Sequence, residues 1–438
     1  MRRLGTTTFV GVAALLALLL FTLLAVAACG SDETTTTTLP TTQTTTGAST
    51  APPSTSGVSS SDTTPTSQTG GPATGTPYKI GVLNTMSGDF GFLGKDLVDT
   101  ANMEIELINA NGGVNGHPLE LVVEDDAGDP AKAVAGFTKL ADDPEILAII
   151  GPVFPYLLPA TQPLADEKQV TYITEGPGIP AVQELNPKFT FYGALYQDID
   201  AQSMLQIFQG KGLKNIAIIS QNDPYALSVS NFLIEQAKAA GLQATLLSDT
   251  IDPGAMDVTP QVNKLKALIE STGADSIAVN IYPNYVSSFR KAAAAAGIDL
   301  PMVAYGVAAD WSTLAMGGDE LNGLMLPGAK VVAVSWLPDS DPQKAMILDF
   351  SNRYQAKFGK VPGAVAVVGA DIVRWLAHAL ETSGPDRVKL RDAIASTTGF
   401  LTPYADRTVQ PGSNSSAPFG TYVPMVIEGM QFVELKLQ

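Results

Sequence analysis

An α/β protein of two Rossmann-like lobes, each a parallel sheet flanked by helices, is the fold class the sequence predicts. From Tyr78 onward, short apolar runs alternate with amphipathic segments of helical length, the pattern of strands separated by covering helices. The alternation runs to Thr174 and restarts near Ile199. The part before about Pro77 is not globular material, which leaves roughly 360 residues, enough for two domains of ordinary size.

The first series opens with YKIGVLNTM, from Tyr78, as a strand. Val98, Ala101, Ile105 and Ile108 then share one helical face, and Gly112-Gly113 stops that helix. LELVVED follows as a strand. Asp129-Pro130 reads as the cap and first turn of the next helix, the carboxylate accepting from free N–H groups and the proline ring fixing φ. EILAIIG, a helix from Leu158 to Lys168, and VTYIT complete this series. The second reads KNIAIIS, a helix through Phe232 and Ile234, ATLLSDT, a helix from Pro260 to Glu270, SIAVNIY, an alanine-rich helix from Val286 to Ala296, and PMVAY. After Leu326 the character changes. Two long helical stretches, Pro342 to Phe358 and Ala364 to Thr382, have no strand between them, and the chain is expected to return there to the first lobe. The tail TYVPMVIEGMQFVELKL alternates around Glu428-Gly429 as a terminal hairpin would.

Ahead of these elements, Arg2 and Arg3 precede a nearly unbroken apolar run from Phe9 to Ala28 that ends in small residues before Cys29, the pattern of an export signal. Val26-Ala27-Ala28-Cys29 resembles the lipobox of bacterial lipoproteins, which implies cleavage before Cys29 and a lipid on its thiol. The alternative is an uncleaved spanning helix, for which the run is long enough. Small residues and a lone cysteine at its end have no purpose in a plain helix. Residues 33 to 76 are mostly Thr, Ser, Pro and Gly, with too little apolar surface to offset ordering entropy, and are expected to form a disordered tether. With Cys29 the only cysteine, no disulfide can form within the chain. A net charge of −17 repels phosphate and excludes nucleic acid as a partner.

No catalytic set emerges. The chain lacks a G-x-S-x-G elbow, an H-E-x-x-H pair, a Walker loop, a C-x-x-C pair and a dinucleotide fingerprint after the first strand. His117 follows Asn115-Gly116 in a turn and His378 lies on a predicted helix, neither with a partner at metal spacing. Neither an enzyme, nor a metal, nor a cofactor is expected.

The stretches IGVLNTMSGDFGFLGKD (80–96), INANGGVNGHPLELVVEDDAGDPAKAV (108–134) and IIGPVFPYLLPATQPLADEKQVTYIT (149–174) resemble the type I periplasmic binding proteins of the leucine/isoleucine/valine-binding class, substrate-binding partners of ABC importers. IAIISQNDPYALS (216–228) and RKAAAAAGI (290–298) match more weakly. The resemblance implies two lobes joined by three crossings, near 196–199, 326–331 and 401–406. It divides the chain into a signal peptide (1–28), Cys29 plus tether (29–77), a first lobe (78–198 with 330–403) and a second lobe (199–329 with 404–438). It also places a ligand at the carboxyl ends of the facing strands, where open α/β sheets bind ligands in general.

Carried over residue by residue, the family's amino-acid contacts are missing. The hydroxyl position after the third strand is Pro155, the threonine position after the fourth is Gly178, and the glutamate position in the second lobe falls at Gly306, unless Glu175 or Asp310 substitutes. The resemblance does place Tyr225 and Tyr282 against the ligand. Phe90, Phe92, Phe154, Tyr156, Tyr196 and Tyr305 occupy other loops after strands, and Thr174 and Gly176 flank Glu175. Rings there suit a solute with apolar or planar surface, although each could equally close a lobe core beneath its loop. Glu175 has two readings: an acceptor for an amine, amide or urea-like donor, or a solvated loop residue. Asp125 and Asp126 read as turn and cap residues. The expected function is an extracytoplasmic lipoprotein, a monomer held at the outer face of the cytoplasmic membrane, that passes a small solute to a permease. Amides, urea-like, aromatic or short apolar solutes fit it better than a free α-amino acid. The alternative is a sensing lipoprotein of the same fold that signals to a partner protein.

Overall fold

The computed structural model describes residues 71–438 apart from 89–90, 177–183, 195–196, 410–411, 413, 417–420 and 438, and apart from the side chains of Phe92 and Leu93. Cys29, the signal segment and the tether to residue 70 lie outside the described residues, as do Phe90, Gly178 and Tyr196. The end of the expected tether is already part of the fold. Ala73 N donates to Asn109 O, Gly75 N donates to Gly116 O, and His117 Nδ1 lies 2.7 Å from Thr76 O while its ring stacks on Tyr78.

The first sheet takes the order β2-β1-β3-β4-β5, all parallel, from β1 (Tyr78–Asn84), β2 (Leu119–Asp125), β3 (Ile146–Ile150), β4 (Thr171–Thr174) and β5 (Thr190–Tyr192). Helices α1 (Gly91–Ala110), α2 (Pro130–Asp142) and α3 (Leu158–Lys168) connect the first four strands. Alternate side chains along each strand feed two cores. Val82, Ala148 and Ile150 pack with Leu97, Ala101 and Ile105 of α1, whereas Leu83, Ile146 and Ile149 pack with Phe137 and Leu140 of α2 and Leu158 of α3. Burying each of the Val, Leu, Ile and Phe side chains among them stabilises by about 1.5–3 kcal/mol. β5 escapes the sequence reading because three residues are too few for a period to register.

The second sheet begins after α4 (Gln197–Gly210) and alternates β6 (Asn215–Ser220), α5 (Pro224–Ala239), β7 (Gln243–Leu246), α6 (Thr259–Thr272), β8 (Ser276–Asn280), α7 (Pro283–Ala295), β9 (Met302–Ala304), α8 (Trp311–Gly317) and β10 (Met325–Ala329). Residues 330–395 form α9 (Lys330–Ala333), α10 (Lys344–Phe358), α11 (Ala366–Ser383) and α12 (Arg387–Ala395). Three of these pack on the first lobe. Glu104 of α1 is ion-paired to Arg353 of α10 and Arg374 of α11, and Arg387 of α12 donates to the carbonyls of Ala141, Asp143 and Ile146. A two-stranded ribbon, β11 (Phe400–Leu401) with β12 (Asp406–Arg407), follows. The chain ends in the expected hairpin, β13 (Tyr422–Glu428) and β14 (Gln431–Glu434), in which Glu428 pairs with Gln431. β13 runs antiparallel to β10, which gives the order β14-β13-β10-β9-β8-β6-β7.

The expected third crossing near 401–406 is corrected. The described residues between Asp406 and Ser416 stay with the first lobe, because Asn414 Nδ2 donates to Pro187 O and Thr190 O, and Ser416 Oγ donates to Tyr192 O. Arg407 fixes this course. Wholly buried, its guanidinium is paired with Asp371, donates to Gly193 O at 2.8 Å and Ser416 Oγ at 2.6 Å, and stacks near Trp375. A buried cation without such partners would cost several kcal/mol. The next described residue after Ser416 is Thr421, which leads into β13.

Candidate functional site

In the first lobe, β1, β3 and β4 end side by side, and Asn84 ties their ends together. Its Nδ2 donates to Glu175 Oε2 at 2.7 Å, while its Oδ1 accepts from Thr85 N at 2.9 Å and Val153 N at 3.3 Å. A polar residue closing an apolar strand is the only sequence signal for Asn84. Glu175 is 4% exposed, so the solvated-loop alternative fails. Burial pushes its carboxyl up to about 8, only partly offset by the Asn84 bond, and Glu175 therefore carries a proton at neutral pH. Asp126, fully buried beside it, is also raised by desolvation; its Oδ1 accepts from Thr85 Oγ1 at 2.6 Å and Gly128 N at 2.8 Å. Asp125 accepts from Met86 N and Ala127 N, the turn role expected of it. Thr174 Oγ1 donates to Gly176 O, and Gly176 N donates to Pro152 O. After β3, Gly151 has a φ of 115°, and a Cβ there would collide with Leu83 O. Phe154 and Pro155 are half-buried; Tyr156 is exposed, its ring 5.3 Å from Phe154. Phe92 lies in the first turn of α1.

The second lobe ends its strands in rings. Asp223 caps α5 through Tyr225 N and Ala226 N, which starts the helix with Tyr225 in its first turn. Tyr282 N donates to Gln221 Oε1 at 3.0 Å, which holds the start of α7 against the end of β6. Tyr225 and Tyr282 are partly exposed, as a pair of ligand-facing rings requires. Tyr305 differs from expectation: it is fully buried in the lobe core, its ring 6.0 Å from Tyr225, because the short β9 carries it beneath α4 and α5. Sequence reasoning missed Asp200 on α4. Fully buried, it accepts from Gly306 N at 2.7 Å and Tyr225 Oη at 3.2 Å, and burial raises its carboxyl to about 7. The Tyr422 ring explains the glycine at 306, since a Cβ there would strike it. Asp310 caps α8 through Ser312 N. The lobes touch where Trp311 Nε1 donates to Pro362 O at 2.9 Å, between α10 and α11.

Among the described residues no group of His, Cys, Asp and Glu could hold a metal ion, and no helix is long and apolar enough to cross a membrane. His378 stacks on Phe400 with centroids 4.1 Å apart, a packing role. Two sheets whose strand ends carry polar groups on one lobe and rings on the other agree with a comparison by sequence: the profile described as periplasmic binding protein matches residues 77–422.

The chain belongs to the periplasmic binding protein family. Within it, the type I members of the leucine/isoleucine/valine-binding class are its relatives. The leucine-, isoleucine-, valine-, threonine- and alanine-binding protein of Pseudomonas aeruginosa is 25% identical over 337 residues, 74% of this chain and 83% of that protein. The Leu/Ile/Val-binding protein of Escherichia coli is 26% identical over 58% of this chain and 67% of its own length. Among solved structures, a leucine-binding protein from Thermotoga maritima superposes with a TM-score of 0.68 at 21% identity, covering 82% of this chain and 98% of that one. An ABC transporter substrate-binding protein from Desulfitobacterium hafniense, solved with leucine, gives 0.67 at 19%, covering 82% and 100%. Such periplasmic binding proteins bind solutes and are not enzymes.

Proposed function

We propose that this periplasmic binding protein is an extracytoplasmic lipoprotein, anchored through a lipid on Cys29, that captures a small solute between its lobes and delivers it unaltered to an ABC importer. The observation that carries this reading is the pair of partly exposed rings, Tyr225 and Tyr282, at adjacent strand ends of a lobe whose partner lobe presents buried polar groups. Rings on one side and hydrogen-bonding groups on the other suit a branched-chain amino acid-like, amide, urea-like or aromatic solute. Phe154, Pro155 and Tyr156 border the same site from the first lobe.

A thermal-shift panel on the purified chain tests it, with mass spectrometry of the recovered solute. The expected result is one solute class that raises Tm by several degrees and returns with unchanged mass, with Tyr225→Ala and Tyr282→Ala each weakening the shift. A solute recovered altered would end the binder reading. Cys29→Ala is expected to release the protein from membranes; retention there would end the anchor reading.

A further inference from the structure

Among the described residues of the first-lobe edge, several hydrogen-bond donors are occupied while two buried acceptors are not. Val153 N and Thr85 N serve Asn84 Oδ1, Gly176 N serves Pro152 O, and the Thr174 hydroxyl serves Gly176 O. Pro155 has no N–H to offer. Against these stand two carboxyl oxygens with no partner in the described structure, Glu175 Oε1 and Asp126 Oδ2, both on residues at least nine-tenths buried. An unpartnered buried oxygen of this kind costs about 1–3 kcal/mol until a donor reaches it. Between the end of each of β1–β4 and the helix or loop that follows, residues 85–88, 126–129, 151–157 and 175–176 contain no Lys, Arg or His. Protonation gives Glu175 a single hydroxyl to donate, so the edge stays rich in acceptors.

We infer that the solute's group facing the first lobe is a nitrogen donor, an ammonium, amidinium or carboxamide, and that a carboxylate is excluded there. The inference rests on the binding reading above and narrows it to nitrogen-rich solutes without a free carboxylate. A carboxylate would meet two buried acidic side chains and, in residues 85–88, 126–129, 151–157 and 175–176, no Lys, Arg or His to compensate its charge.

The test uses a matched pair of probes, leucine and leucinamide, which share the ammonium and the apolar side chain and differ only in carboxylate against carboxamide. Their Kd values are measured by calorimetry on the purified full chain, beside isopentylamine and isovaleramide. Leucinamide, or one of the two carboxylate-free probes, is expected to bind at least 10-fold more tightly than leucine. Glu175→Gln keeps the shape and exchanges one carboxyl oxygen for an NH2 donor, and is expected to shrink that ratio several-fold, with Tyr225→Ala lowering all affinities alike. Leucine binding as tightly as leucinamide or more so overturns the inference and leaves the binding reading intact. Binding of no probe, when other solutes in the thermal-shift panel do bind, overturns it as well. If no solute of any class stabilises the chain, the binding reading itself fails.

Discussion

The two strand-end edges solve the same problem with different chemistry. In the first lobe, three strand ends are joined by side-chain hydrogen bonds radiating from Asn84, and the groups left over are acids. In the second, Asp223 caps α5 and the Gln221 side chain holds the start of α7, a few buried polar atoms such as Gln221 Nε2 and Asp223 Oδ2 are left over, and the larger surfaces are the rings of Tyr225 and Tyr282. Polar networks depend on every member, since losing one leaves the others buried and unpaired, whereas an aromatic wall loses area in proportion to what is removed. The first edge is therefore the brittle one and the second the tolerant one.

The largest expected effect is on pH dependence. Glu175 has an ordinary value of 4.5 raised to about 8, so the folded state binds the proton more tightly than the unfolded chain does. Stability present below pH 4.5 is lost as pH rises through this window, by about 4 kcal/mol between pH 5 and 8 for such a shift. Urea titrations across that range should show the decline, and Glu175→Gln should remove the share of it that extends to pH 8. Asp200→Asn should flatten only its lower part, because that carboxyl is raised to about 7. Equal effects of the two substitutions would erase the distinction between the edges.

Asn84→Ala is next, with an expected loss of about 3 kcal/mol, since it strands Glu175 Oε2, Val153 N and Thr85 N together. Asp200→Ala should cost about 2 kcal/mol through Gly306 N and the Tyr225 hydroxyl. Tyr225→Phe, which removes one long hydrogen bond and keeps the ring, should cost about 1 kcal/mol or less. Chemical denaturation ranks all three, and a Tyr225→Phe loss exceeding that of Asn84→Ala would reverse the contrast.

Most of the fold was legible because a parallel sheet writes itself as buried apolar runs. ILAII and SIAVN are buried at every position, and the helices between them carry their own period. The terminal hairpin was equally plain. β5 and the β11–β12 ribbon were not, for two or three residues hold no pattern, and the placement of Ser416 beside Gly193 depends on one buried guanidinium. At the candidate site, Tyr225 and Tyr282 stand at strand ends as expected, but Asp200 was invisible: in QDIDAQS nothing distinguishes the acid that turns inward from those beside it. Tyr305 reads like Tyr282 in sequence, and the fold alone separates a core ring from a half-exposed one.

The buried pair of Arg407 and Asp371 has a consequence for the order in which the polypeptide matures. Gly193, which receives the guanidinium's third bond, is made more than two hundred residues before Arg407, and the whole of the second sheet's parallel part is synthesised in between. Contacts of such long range form late. A nascent chain halted after α12 would hold Asp371 as an unpaired charge in an unfinished interior, so the first domain to emerge is the last to set, and it waits on the tail of the protein to lock it.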